Sequence, residues 1–549
     1  MSLFVSDFSN MKINGSNFCC LLVQLFLMVK SQMSWLTAEE FSKPNFIILV
    51  NHDHAVSTLG LRNSTFQKLN PTTNITALAE DGWFFSNAFC SNGSSAPSTA
   101  TLLTGKFAHQ HGLLSNGQKF DPNQPTLLKA LTSKGYETAL FGRWDLLIEP
   151  AEFDHWEVLD NANVFFNPTF ISVLGKRQIE GHTTDITSDL LIQWIKKRGA
   201  SKKPFVAFVF FNATQRPWMP TLRQLETYND ILLPEPETLF SNQKEMAPAS
   251  RYQRNEIAKD LNLTNDLFMG LPEKPNKQTS GFTEVYRENL SNMNEEQFST
   301  WQLMWRAENE AYLRDIPVED ELIRWKYQRF AKNYLRCVRD VDENIGRIRS
   351  FYEEFSTGKC FFAYTAHQGR FVGENGWFGS QWMMDQSMRI PLIITTINGE
   401  ETVSKTIQYN VQDIDFAPTI LSMANCESLE ASHGIALNSE DWNSTSLRER
   451  KALYFHHYDF PGPSMIAKHN GIRTDTHKLI NYYQFGEWEL FDVLSNPLDS
   501  KNIIDAYDEI EDLKKMLLNL QSETSDSGEK TMMPEKWRRI YRGPSARME

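Results

Sequence analysis

The sequence predicts an α/β protein: a mainly parallel central sheet flanked by helices, followed by a smaller C-terminal antiparallel sheet with one helix. Three observations carry that prediction. Short, largely apolar runs recur along the chain at 45–50 (NFIILV), 137–141, 205–211 (FVAFVFF), 360–365 (CFFAYT) and 390–396. Runs of this length without polar alternation belong to strands buried on both faces, and parallel sheets need such strands. Helical stretches separate them, as crossover connections require. After Asn425 the texture changes to shorter runs at 453–456, 478–482 and 488–492, then an amphipathic segment at 510–521. That pattern predicts the small antiparallel sheet and its helix.

Residues 1–42 stand apart from these elements. An apolar stretch at 18–29 (FCCLLVQLFLMV), with Lys12 before it and Lys30 after it, is too short to span a bilayer and suits the core of a secretory signal peptide. On that reading the protein is secreted or periplasmic; a buried N-terminal helix is the alternative. No later segment has the length and apolarity of a membrane span. Residues 43–425 form the α/β domain, within which 220–317 loses periodicity and turns polar, as an insertion or lid does. Between 323 and 353, Trp325 precedes Phe330, Tyr334, Val338, Val341 and Ile345, the last five at three- and four-residue steps, the stripe of a core helix. Residues 426–549 make up the C-terminal α+β unit.

A chain of 549 residues with 41% hydrophobic content can bury a large core. Its 55 Lys and Arg against 68 Asp and Glu leave a net charge of -13, which argues against a nucleic-acid partner. A sulfated polyanion would need a local basic pocket. The six cysteines, at 19, 20, 90, 337, 360 and 426, include no CxxC pair, so neither a zinc ribbon nor a disulfide scaffold is indicated.

In an open α/β sheet, ligands gather at the carboxyl ends of the strands. The residues to read for chemistry are therefore 51–54, 142–145, 212–217 and 366–369. Segment 92–106 (NGSSAPSTATLLTGK) adds a second signal. Small residues, Pro97 and the apolar Ala100, Leu102 and Leu103 predict a tight turn entering a helix, whose first-turn amides attract an anion. The plainer alternative is that Ser94, Ser95 and Ser98 only cap that helix.

From residue 43 to the C-terminal helix, this pattern resembles sulfatases of the alkaline phosphatase superfamily, especially those acting on polysaccharides and glycosaminoglycans. Further stretches that carry the resemblance are 102–105 (LLTG), 341–347 (VDENIGR), 389–394 (RIPLII), 413–419 (DIDFAPT) and 489–492 (ELFD). In that family a Cys or Ser at the start of the helix is oxidised to formylglycine, and an Arg four residues later holds it. The resemblance puts Ser95 at the nucleophile position and Thr99 where the Arg belongs. The family's calcium-binding Asp-Asp pair becomes His52-Asp53, and its Gly-Lys-Trp-His becomes Gly142-Arg143-Trp144-Asp145. Its Pro-His-x-Pro becomes Thr214-Gln215-Arg216-Pro217, its second calcium pair before Gly becomes His367-Gln368-Gly369, and the following lysine becomes Ser380.

The resemblance thus implies a scaffold whose site chemistry has changed. The first expectation is a sulfatase-fold protein without conventional calcium and formylglycine activity that binds a sulfated glycan or another small anionic ester. Hard-cation affinity follows the number of anionic oxygens, and only Asp53 of the calcium carboxylates remains. The second is an active sulfuric or phosphoric ester hydrolase with an altered metal site. There His52, Asp53 and His367 form a two-histidine, one-carboxylate set suited to zinc, Ser95 attacks directly and Arg143 clamps the anion. Against it stands the reading of His52 and His367 as neutral replacements that fill former ligand space. A third expectation keeps residual formylglycine chemistry at Ser95, which Thr99 opposes because the maturing machinery reads the nucleophile together with the Arg. Histidines 109, 111, 456 and 457 and the Trp301 to Trp305 stretch read first as packing residues.

Overall fold

The computed structural model describes residues 43–61, 64–199, 201, 203–270, 281–356, 358–399, 404–437, 447, 449–527 and 532–542. The apolar stretch 18–29 lies outside the described residues, so its expected export role is not addressed by the fold. The central strands are β1 (Asn45–Asn51), β2 (Trp83–Phe85), β3 (Glu137–Gly142), β4 (His155–Leu159), β5 (Thr169–Ser172), β6 (Gly175–Gln178), β7 (Phe205–Phe210), β8 (Cys360–Ala366), β9 (Leu392–Ile397) and β10 (Lys405–Ile407). They form one sheet in the order β10-β2-β9-β8-β1-β7-β3-β4-β5-β6. Five neighbours, β8, β1, β7, β3 and β4, run parallel. The fold class read from the sequence is therefore the observed one, with antiparallel pairing towards the edges at β8-β9, β9-β2, β4-β5 and β5-β6.

Alternation along β1 builds two cores. Phe46, Ile48 and Val50 pack on one face with Leu102, Leu103, Phe208 and Phe210, whereas Ile47 and Leu49 enter the other with Leu191, Trp194, Val341 and Ile345. Successive side chains point to opposite faces of a strand, so covering both faces demands an apolar residue at every position. The edge strands give no such signal. All of β6 is exposed and β10 is buried only at Ile407, so no apolar run marks them.

Helix α1 (Ser95–Thr104) and the long α2 (Glu319–Phe355, 37 residues) flank the sheet on opposite faces. Asp342, buried on α2, caps a neighbouring helix from outside. The helix Thr73–Glu80 has no side-chain cap of its own at Thr72. Asp342 Oδ2 accepts from the Asn74 amide at 3.1 Å, and Oδ1 accepts from the Ile75 amide at 2.8 Å. The insertion contributes a helix, Glu295–Arg314, whose Trp301 and Trp305 are buried against Phe268 and Tyr286. They pack, and present no face to a sugar.

The C-terminal unit is an antiparallel sheet of β11 (Leu453–His457), β12 (His469–Arg473), β13 (His477–Tyr482) and β14 (Glu487–Asp492), with helix α3 (Ile510–Glu523). β12 reads HNGIR, too polar to mark itself as a strand. This sheet grips the main domain through Asp385, at the head of a one-turn helix: Lys478 reaches it at 2.7 Å and Arg473 at 3.0 Å. The same Lys478, fully buried, also contacts Asp499 at 2.6 Å. Among the described residues, no helix is long and apolar enough to cross a membrane.

Replacing Asp342 by Ala would leave two buried amides without an acceptor. The expected cost is roughly 2–3 kcal/mol, read as a lower midpoint of denaturant unfolding at unchanged slope, with Asp342→Asn milder.

Candidate active site

Loops after β1, β3, β7 and β8 meet at the carboxyl end of the sheet and are stitched by main-chain bonds. His52 N donates to Ala213 O at 3.0 Å, His54 N to Gln368 O at 3.0 Å, His367 N to Asn51 O at 3.1 Å, and Arg143 N to Phe210 O at 2.9 Å. Two glycines permit this closeness. A Cβ on Gly142, whose φ is +95°, would stand 2.2 Å from Phe210 O, and one on Gly369 would stand 2.4 Å from Arg389 O. Both glycines are therefore required by backbone approach whatever the chemistry nearby.

Helix α1 points its N-terminus into this cluster. Ser94 makes no side-chain cap; Asn116 does that work from a neighbouring loop, its Oδ1 accepting from the Ala96 amide at 3.0 Å and from Ser95 Oγ at 3.3 Å. Ser98 Oγ donates to His367 O at 3.1 Å. Thr99 Oγ1 donates to Ser95 O at 3.0 Å and meets His367 Nε2 at 3.0 Å. Because the Thr99 proton is directed to the carbonyl, His367 donates from Nε2 and turns the Nδ1 lone pair elsewhere. That Nδ1 is buried without a partner.

Asp53, fully buried, is saturated. Oδ1 accepts from Arg370 Nε at 2.8 Å and Thr214 Oγ1 at 2.8 Å, while Oδ2 accepts from Arg370 Nη2 at 2.6 Å and pairs with His52 Nδ1 at 3.0 Å. A carboxylate offers roughly four lone-pair sites, and each oxygen has two partners within hydrogen-bond distance, although Thr214 shares its single proton between Oδ1 and the Asp53 carbonyl oxygen. Burial alone would raise its pKa, but the Arg370 charge and hydrogen bonds, helped by His52, hold the carboxyl well below the usual range. Asp53 therefore stays charged, and its proton acceptor capacity is directed at a guanidinium.

This arrangement decides the fit of both expected metals. Calcium would need free anionic oxygens, and Asp53 has none to give. The zinc set meets the same obstacle. Although His52 and His367 lie edge to face with ring centroids 6.2 Å apart, Asp53 faces Arg370 and His367 Nε2 faces Thr99. Among the described residues, no three His, Cys, Asp or Glu side chains make a group able to hold a metal. The residues present fit neither ion.

Arg143 is also engaged. Its Nε lies 2.8 and 2.7 Å from the two oxygens of Asp145, and its Nη1 contacts Gln215 Oε1 and, at 3.2 Å, Asn212 Oδ1. The anion clamp expected of Arg143 is thus half covered by its own neighbour. Burial would raise the Asp145 pKa, but Arg143 overrides it and keeps the acid ionised. Burial pushes His367 down to about 3 and, with the Arg143 charge, lowers His52. At neutral pH the centre therefore holds two carboxylates, two guanidiniums and two neutral imidazoles. A cavity of about 1350 Å³ lies elsewhere, along Arg389, Tyr409 and Arg473, and none of Asp53, Ser95, Arg143 or His367 lines it.

Sequence comparison matches residues 38–426 to the sulfatase family. The chain belongs to the sulfatase family. Residues 373–525 also match the C-terminal region of N-sulphoglucosamine sulphohydrolase. N-acetylglucosamine-6-O-sulfatase of Bacteroides thetaiotaomicron is 33% identical over 98% of this chain and 96% of its own length. The arylsulfatase of Clostridium perfringens is 22% identical over 87% of this chain and 94% of its own length. Among solved structures, a protein in complex with its substrate D-glucosamine-2-N,6-O-disulfate superposes with a TM-score of 0.81 at 30% identity, covering 89% of this chain and 99% of that one. A 2-O GAG sulfatase shares the fold, with a TM-score of 0.64 at 16% identity over 91% of this chain and 96% of that one.

Within this sulfatase scaffold, three contributors escape a reading of the expected positions. Arg370 follows directly after Gly369, and its value lies in the direction of its side chain, which sequence does not give. Asn116 belongs to a loop without a motif. Thr99 is visible as a missing Arg, but its bond to His367 spans 268 residues.

His367 makes the site's stability pH-dependent. Its folded pKa of about 3 lies below the ordinary 6.5, so its contribution is intact above 6.5 and is lost as pH falls towards 3. Relative to His367→Asn, the wild type should lose about 2 kcal/mol of unfolding free energy between pH 7.5 and 5, measured by paired denaturant titrations. Parallel profiles for the two proteins would contradict a buried, neutral His367.

Proposed function

We propose that this sulfatase-family protein binds a sulfated saccharide of the glucosamine type without conventional calcium and formylglycine turnover. The observation that carries the reading is the setting of Ser95. The hydroxyl donates to an amide oxygen, that of Asn116, and an amide is no base able to activate a serine. In place of the family's Arg, Thr99 ties helix α1 to His367. Both guanidiniums nearby face carboxylates. Charge developing on a sulfuryl group would therefore lack fixed positive partners, each ordinarily worth a few kcal/mol.

Binding needs less. Hydrogen bonds to a saccharide's hydroxyl, amide and sulfate groups can hold it without a general base or an unpaired positive charge. The ligand class is supported by the similarity to N-acetylglucosamine-6-O-sulfatase along nearly the whole chain and by the disulfated glucosamine bound in the superposable structure. Export through residues 18–29 would deliver the protein to such glycans, which lie outside cells.

A second reading, turnover of that ester by an altered site, is favoured by the same similarity, since those relatives are enzymes by name and structure. The two readings part in one experiment. Purified protein is mixed with D-glucosamine-2-N,6-O-disulfate, heat of binding and released sulfate are followed, and the peptide carrying Ser95 is weighed. Saturable heat, no released sulfate and an unmodified hydroxymethyl group are expected. Catalytic sulfate release would overturn the first reading and establish the second; absence of binding would reject the ligand class.

A further inference from the structure

We propose that Arg370 is the resident cation of this site, a guanidinium built into the chain where the family resemblance implies calcium, so that the protein needs no divalent metal. Asp53 is the one calcium carboxylate that the resemblance retains. Arg370 meets it in a two-pronged contact, Nε to Oδ1 at 2.8 Å and Nη2 to Oδ2 at 2.6 Å. This parallel geometry is the one in which a guanidinium binds a carboxylate most strongly. The remaining prong, Nη1, donates to Phe378 O at 2.6 Å. The guanidinium carbon lies 5.5 Å from the centre of the Trp218 ring. Arg370 is 7% exposed and Asp53 is 0% exposed, so neither charge is solvated by bulk water.

The neighbouring exchanges make sense as one set. A divalent ion is stable only among several carboxylates, and a monovalent guanidinium among fewer. The two acidic positions that the resemblance assigns to 52 and 367 are imidazoles, and neither brings a carboxylate to the site: His52 Nδ1 meets Asp53 at 3.0 Å and His367 Nε2 meets Thr99 at 3.0 Å. Lower positive charge and fewer negative charges thus go together. With Asp53 saturated, a metal could enter only by expelling Arg370, which would leave a buried, unpaired guanidinium.

The inference stands apart from the ligand reading, because metal content and melting report it whether or not a saccharide binds. Protein prepared without chelators is analysed for bound metals, and its melting is compared with EDTA, calcium or zinc present. Two further variants carry restored acids. One combines His52→Asp with His367→Asp and keeps Arg370; the other adds Arg370→Ala. The wild type is expected to contain substoichiometric metal and to melt at one temperature under all conditions. The variant that keeps Arg370 should remain insensitive to calcium, whereas the triple variant should show a saturable rise in melting temperature with calcium. One equivalent of metal in the wild type, a lower melting temperature in EDTA, or calcium stabilisation with Arg370 in place would overturn the inference. If the triple variant does not fold, the wild-type metal content and EDTA melt still decide it.

Discussion

The ion pair between Arg370 and Asp53 fixes the centre of the molecule. Asp53 ends the loop after the middle strand of the sheet, and Arg370 lies in the loop after its neighbour. Their contact ties two strand ends together at the place where the fold concentrates its chemistry. Removing one partner of such a buried pair ordinarily costs about 3–5 kcal/mol, because the other is left charged and dry. The pair therefore constrains sequence change on both sides: neither residue can drift alone, and His52 and Thr214, which complete the carboxylate's hydrogen bonds, are tied to it.

Seen from that pair, the site is one of internal compensation. Arg143 answers Asp145, Arg370 answers Asp53, and the two imidazoles are neutral. Net electrostatic attraction for an anion is weak in such a balanced centre, because each guanidinium is answered by a carboxylate. This is the opposite of a site that uses unpaired positive charge to stabilise a transition state.

The fold was legible in the sequence wherever both faces of a strand are covered. Five such runs mark the central strands because an apolar residue is needed at each position, as Phe46 to Val50 illustrate. Edge strands such as β6, exposed throughout, leave no trace. The loops that form the site could be located from the strands they follow, and Gly142 and Gly369 mark where backbones touch. What the sequence withholds is the pairing of charges. Arg143 is predicted as a clamp on an anion, whereas the structure joins it to Asp145. Arg370 carries no motif, and its meaning depends on a contact with a residue 317 positions earlier.

The grip of Lys478 and Arg473 on Asp385 reaches further than the C-terminal sheet itself. Asp385 opens the one-turn helix whose Ser387 carbonyl receives the Gly369 amide at 2.8 Å, one residue before Arg370. The terminal subdomain is consequently an outer brace for the loop bearing the guanidinium. Evolution could not shed or exchange this subdomain as a detachable accessory, and a shortened chain ending before it would lose the scaffolding of its own centre.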